Sequence, residues 1–222
     1  MRMKTKKYIF FLFLTFTTLT VNGQSHLIGV KGGVNWTNVT ANNTFSDENY
    51  RTGFAVGFSY DYIFKKNFMV GTDILYNQRG FTSDIILTDA LGNPIQKVTM
   101  NFDYDYLTIP LKVGYHYGET FFGFANIGLT PAMLINARTI TPNIEFNSSG
   151  KYDVTDRVNK FDIGGIVEVG GGYKFIDRFW LYSSFSYQHS FSTITNSDYY
   201  ANSKIRHNGM TISVGLRYAL TK

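Results

Sequence analysis

The chain has 222 residues with 16 Tyr, 20 Phe and no Cys, and only 17% of it is charged. A soluble domain usually carries about a quarter charged residues, and the lack of cysteine excludes disulfides, a thiolate zinc site, a cysteine nucleophile and a lipoprotein anchor. The net charge of +5 is no nucleic-acid signature, because four basic residues and no acidic ones precede Gln24, so a chain cut there carries +1.

The first segment reads as a targeting signal. Arg2, Lys4, Lys6 and Lys7 make a basic start, and a mostly apolar, threonine-containing stretch runs from Tyr8 to Val21. Val21-Asn22-Gly23 then offers small residues for cleavage before Gln24. The expected organisation is a signal peptide over 1–23 and one domain over 24–222. The competing reading, an N-terminal anchor helix, suffers from the shortness of the stretch. After it comes no apolar run long enough for a spanning helix.

Period-2 alternation then recurs, and it predicts eight strands. The first, about 27–39, sets Ile28, Val30, Val34 and Trp36 against Lys31 and Asn35. The second, about 52–63, sets Phe54, Val56, Phe58, Tyr60 and Tyr62 against small residues and Asp61. The third, about 68–79, sets Val70, Ile74 and Tyr76 against Asp73 and Asn77. The fourth, "YDYLTIPLKVGYHYG" over 104–118, sets Leu107, Ile109, Leu111, Val113 and Tyr115 against Lys112. The fifth, about 121–135, is apolar on both faces and its sides stay open. The sixth, about 161–173, sets Ile163, Val167, Val169 and Tyr173 against Asp162, Glu168 and glycines. The seventh, about 179–190, is rich in Ser and aromatics, and its sides also stay open. The eighth, about 207–220, sets Met210, Ile212, Val214, Leu216, Tyr218 and Leu220 against Arg217 and small residues.

The connections alternate too. Those after strands two, four and six are short, and those after one, three, five and seven are long and polar. Short periplasmic turns and long outer loops belong to outer-membrane barrels. A soluble sandwich would bury the long aromatic faces and wet the polar ones. A closed barrel in lipid inverts this, leaves no unpaired edge in hydrocarbon and puts tyrosines near the strand ends at the interface. The fold class expected is therefore all-β, an eight-stranded antiparallel transmembrane up-and-down barrel. At this strand number the interior holds side chains and little more. Lys31, Lys112 and Arg217 are expected to meet Asp61, Asp73, Asp162 and Glu168 there in a charge network within a packed polar core. The pairs are not assigned. Strands three and four are expected to run on past the membrane as a hairpin turning near Gly92 to Pro94.

Several stretches strengthen this reading by resemblance. "IGVKGGVNWTNV", "LYNQRGF", "YDYLTIPLKVGYHYG", "FANIGLTPAMLI", "FDIGGIVEVGGGYKF" and "GMTISVGLRYAL" resemble the small outer-membrane β-barrel proteins of the Bacteroidetes, the PorT-like or outer membrane protein beta-barrel domain family. The likeness spans nearly the whole chain after the leader. The last strand resembles the signal read by the barrel-insertion machinery, although it ends "YALTK" and not on an aromatic. The resemblance implies residence in the outer membrane. One namesake of the family takes part in a secretion system that exports proteins and supports gliding, while most relatives have no assigned activity.

Catalytic signals are sparse. His26, His116, His189 and His207 form no metal spacing, and His116 is expected in a short turn. His189, Ser190 and Ser192 admit a membrane-rim lipid hydrolase using a serine–histidine pair. The bland reading is a polar strand end. "VGGGYK" and "GVKGGVN" lack the spacing and the following helix of a phosphate loop. No cofactor, metal or nucleic acid is expected. The expected partners are outer-membrane lipid and other envelope or secretion proteins met through the outer loops. The leading expectation is a non-enzymatic barrel, structural or part of a surface or secretion assembly. Alternatives are the rim hydrolase and a soluble exported β-barrel that binds a ligand.

Overall fold

The computed structural model describes residues 25–41, 48–65, 67–142, 150–196 and 204–220. The proposed signal peptide lies outside them.

Ten strands form one sheet: β1 (Ser25–Ala41), β2 (Glu48–Phe64), β3 (Phe68–Thr88), β4 (Pro94–Thr108), β5 (Leu111–Gly118), β6 (Phe121–Thr141), β7 (Gly150–Asp153), β8 (Phe161–Ile176), β9 (Phe179–Ser190) and β10 (Ile205–Ala219). All pairings are antiparallel, and β1 pairs with β10 as well as β2, so the sheet closes. β4 and β5 share the same neighbours, β3 and β6, and are two halves of one wall strand. β7 pairs only with the end of β6. The closed ring therefore has eight strands.

The fourth expected strand is thus real but interrupted at Ile109-Pro110. Proline has no N–H to donate. The ladder is carried across the gap by Ile109 N–H to Pro131 O (2.9 Å) and Asp73 N–H to Pro110 O (3.3 Å).

The wall is apolar outside and polar inside. Along β5, Leu111 is 53% exposed and Lys112 is 2% exposed. The same inversion holds on β10, where Val214 is 62% exposed and Arg217 1%. Every outward position on such a wall needs an apolar solvent, and a closed ring leaves no backbone edge for that solvent to desolvate. The two strands left unassigned fall into place. On β6, Phe122, Phe124 and Asn126 face in while Ile127 and Leu129 face out; on β9, Trp180, Tyr182 and Ser184 face in while Leu181 and Phe185 face out.

The interior is not polar throughout, as the sequence suggested. One apolar cluster of Leu27, Ile63, Met69, Phe122, Phe124, Trp180, Tyr182 and Ala219 fills the end of the short turns. Another, around Phe81, Tyr104, Tyr106, Leu134 and Ala137, fills the end of the long loops and includes Val158 and Ile194 from those loops. The charges lie between. The glycines of "VGGGYK" explain the first cluster. A side chain at Gly170 would strike the Phe124 ring, and one at Gly172 the Phe122 ring, so bare backbone on β8 makes room for aromatics on β6.

β3 and β4 outrun their outer neighbours. The last β3 residue paired with β2 is Ser83, opposite Glu48, and the outermost β4 residue paired with β6 is Asn101, opposite Ile140. Beyond them, among the described residues, the two strands pair only with each other, as expected, and the hairpin turns through Asp89–Asn93. The Asp89 carboxylate organises the turn. It accepts from Asn93 Nδ2 (3.0 Å), Asn93 N–H (2.8 Å) and Leu91 N–H (2.9 Å). The bonds from Asn93, side chain first, hold the Asp89 carboxyl below its ordinary value. A lowered acid stabilises the turn above the ordinary aspartate range and stops doing so as pH falls through the lowered value. Amide protection at Leu91 and Asn93, corrected for intrinsic exchange, is therefore expected to fall on acidification through that range, and Asp89→Asn is expected to abolish the dependence. Protection that holds in acid would refute this account of the turn.

Candidate functional site

The charged layer holds four cations and four anions, all buried: Lys31, Arg79, Lys112 and Arg217 against Asp61, Asp73, Asp162 and Glu168. They come from β1, β2, β3, β5, β8 and β10. Each sits at an inward position of its strand.

Four of them form a ring. Lys31 Nζ lies 3.1 Å from Asp73 Oδ2 and 3.0 Å from Glu168 Oε1. Lys112 Nζ lies 2.9 Å from the same Asp73 oxygen and 3.1 Å from Glu168 Oε2. Each lysine thus bridges both acids. Glu168 is further satisfied by Asn126 Nδ2 (3.0 Å) and Ser184 Oγ (3.1 Å), which donate to it. Pairing of each ammonium with two carboxylates is what lets these charges survive in a dry interior, although Asp73 Oδ1 takes no part in it.

Arg217 and Asp61 make a second unit, with Nε 2.9 Å from Oδ2 in an ion-pair contact whose angle is not that of an aligned hydrogen bond. The guanidinium lies over Tyr182, 3.9 Å from the ring centroid, and over Phe124 at 5.0 Å. Aromatic faces attract a desolvated cation, so the lower apolar cluster also holds this charge.

The third unit contains the residue the sequence reading missed. Arg79 donates from Nη1 to Asp162 Oδ2 (2.7 Å) and from Nη2 to Thr108 Oγ1 (3.1 Å), and it lies 4.8 Å from the Tyr106 centroid. The Gln188 amide fits best with its oxygen toward Arg79 Nη2, at 2.8 Å. The signal was present: Arg79 shares the parity of Asp73 and Asn77 along β3. It supplies the fourth cation that three bases against four acids lacked.

Ser190 and Ser192 both donate to Asp162, Ser190 over 2.7 Å. His189 does not join them. Successive strand residues face opposite sides, and His189 points out of the wall beside Gly165 while Ser190 is fully buried. The other histidines are dispersed. His116 is an inward residue of β5, not a turn residue, and stacks on Phe122 (5.2 Å between centroids) near Trp180. His207 meets the edges of Tyr104 and Tyr106 at the other end. His26 Nδ1 lies 2.8 Å from the Tyr60 hydroxyl. Among the described residues no three His, Asp or Glu side chains gather in a way that could hold a metal.

Residues 22–196 match the family described as "Outer membrane protein beta-barrel domain". The chain belongs to that family. As a member of it the protein resides in the outer membrane, and the apolar wall faces lipid. Three solved outer-membrane barrels are similar in fold. Neisserial surface protein A is 12% identical over 86% of this chain and 96% of its own, with a TM-score of 0.45. OprG from Pseudomonas aeruginosa is 10% identical over 90% and 97%, at 0.47. The outer membrane protease OmpT from Escherichia coli is 10% identical over 92% and 99%, at 0.48. No curated protein matches the chain significantly.

Proposed function

We propose that this member of the outer-membrane barrel family is non-enzymatic, its ring serving as a rigid mount and its outer hairpin making contact with other envelope proteins. The observation that carries the reading is the filled interior. A charge-balanced layer between two apolar clusters suits rigidity, and eight strands leave no room for a wide pore. The charged layer then has a structural role. The hairpin is the element left over once the ring is accounted for. Its strands run past their neighbours with no further strand paired to their edges among the described residues and with Ile86, Leu91 and Ile95 exposed. The resemblance to PorT-like barrels of the Bacteroidetes supports a surface or secretion assembly as the setting.

The test is a strain lacking the protein, with the exported and surface-displayed proteins compared against the parent. Loss or periplasmic build-up of a set of them is expected, restored by the full protein. A form with residues 85–99 replaced by a tight turn is expected to fold, showing a gel shift on boiling, and to fail in restoring export. Full restoration by the shortened form, or an unchanged set of surface proteins, sinks the reading. The rim-hydrolase alternative predicts lipid hydrolysis that His189→Ala abolishes. Neither the hydrolysis nor the loss is expected, given the opposite directions of His189 and Ser190.

A further inference from the structure

One part of the lipid-facing wall joins a bare glycine to an imidazole. Across β6, β8 and β9 runs a row of paired outward positions, Leu129, Gly165 and His189. The row below it is Ile127, Val167 and Tyr187. Gly165 has no side chain, and beside it an open hollow of about 430 Å³ lies over β5, β6, β8 and β9, bordered by Val113, Ile127, Leu129, Val167, Tyr187 and His189. The Phe191 ring lies against Gly165, closing the hollow on the side of the long loops. A glycine inside a strand often marks where something approaches the backbone closely.

His189 is the second anomaly. Its imidazole borders the hollow beside Tyr187 and aliphatic side chains, with Asn208 paired to His189 on the β10 side. Gln188 and Ser190, on either side, turn inward to Thr130 and Asp162. A polar group on a lipid-facing surface is costly unless it finds a hydrogen-bond partner. The hollow and the imidazole adjoin, in the half of the wall nearer the long loops. An outer-leaflet lipid satisfies both, with a hydrocarbon chain for the groove and ester or phosphate oxygens for the imidazole.

We propose that the hollow at Gly165 is a binding site for one acylated lipid of the outer leaflet, its chain lying along Ile127, Leu129 and Val167 and its polar linkage meeting His189. The occupant is lipid because the hollow lies at the loop-side edge of the apolar wall, with Val113, Ile127 and Val167 exposed to lipid below it and His189 continued on β10 by the polar Asn208.

The experiment is native mass spectrometry of the full barrel taken from its own outer membrane in mild detergent, then exchanged into a second detergent. One lipid is expected to stay with each wild-type barrel, and its mass identifies it. Gly165→Leu, which fills the hollow and need displace only the Phe191 ring, is expected to lose it. His189→Leu is expected to weaken retention and His189→Gln to keep it. If Gly165→Leu fails to give a heat-shifting barrel, Ile127→Trp fills the groove from its other side. A wild-type barrel that carries no lipid, or an adventitious detergent only, overturns the proposal. So does equal retention after the groove is filled, or a photo-crosslinker at Val167 that captures a polypeptide in place of lipid.

Discussion

Glu168→Leu is expected to destabilise the barrel by about 3–5 kcal/mol, the usual loss when one member of a buried ion pair is removed. The substitution leaves Lys31 and Lys112 sharing only Asp73, through one oxygen. Two ammonium groups then face one carboxylate in a layer closed above and below by apolar clusters. Asn126 and Ser184 lose their acceptor as well. The decisive comparison is the double variant Lys31→Met, Glu168→Leu. It keeps Lys112 with Asp73 and restores neutrality, so it is expected to be more stable than Glu168→Leu alone. Coupling in such networks runs to about 0.5–3 kcal/mol. Urea unfolding of the barrel in vesicles, followed by tryptophan fluorescence, reads both midpoints. Trp180, packed in the lower cluster, reports on the interior. A double variant that loses as much as the two singles together would show that the four groups do not act as a ring.

The sides of most strands were legible because one face carries a charge that hydrocarbon would not tolerate. Lys31, Asp61, Asp73, Lys112, Asp162, Glu168 and Arg217 each identify the inward parity of their strand, and the wall follows from that parity. β6 was unreadable because Phe122 and Phe124 fill the inside with the same chemistry that covers the outside. Their inward direction depends on glycines of β8, Gly170 lying 46 residues along the chain from Phe124 and Gly172 lying 50 from Phe122. Arg79 was passed over because strand three was read as ending there, whereas the wall runs on to Ser83. The ion pairs were illegible for another reason. Lys31 meets Glu168 across 137 residues of chain, and the stagger of the closed ring decides which charges share a height. Val158 and Ile194 are single apolar residues in polar segments, and nothing local marks them as part of the upper cluster.

Val214→Arg is expected to cost about 2–4 kcal/mol, the penalty for a cation on the lipid face near the bilayer midplane. Val214 lies midway between Met210 and Tyr218, the ends of the outward apolar run on β10. It is 62% exposed, and no buried contact is lost when it changes. In a water-soluble barrel a substitution at so exposed a site changes stability by no more than about 0.5 kcal/mol. The large cost arises only if the surrounding solvent is hydrocarbon. The same charge moved to Arg206, at the loop end of the same strand and already basic, is tolerated by the native protein because that height meets water. The penalty should therefore rise from Asn208→Arg to Val214→Arg. Val214→Leu is expected to change little. Unfolding midpoints in vesicles give all three values, and a flat response with height along β10 would mean that this wall does not face lipid.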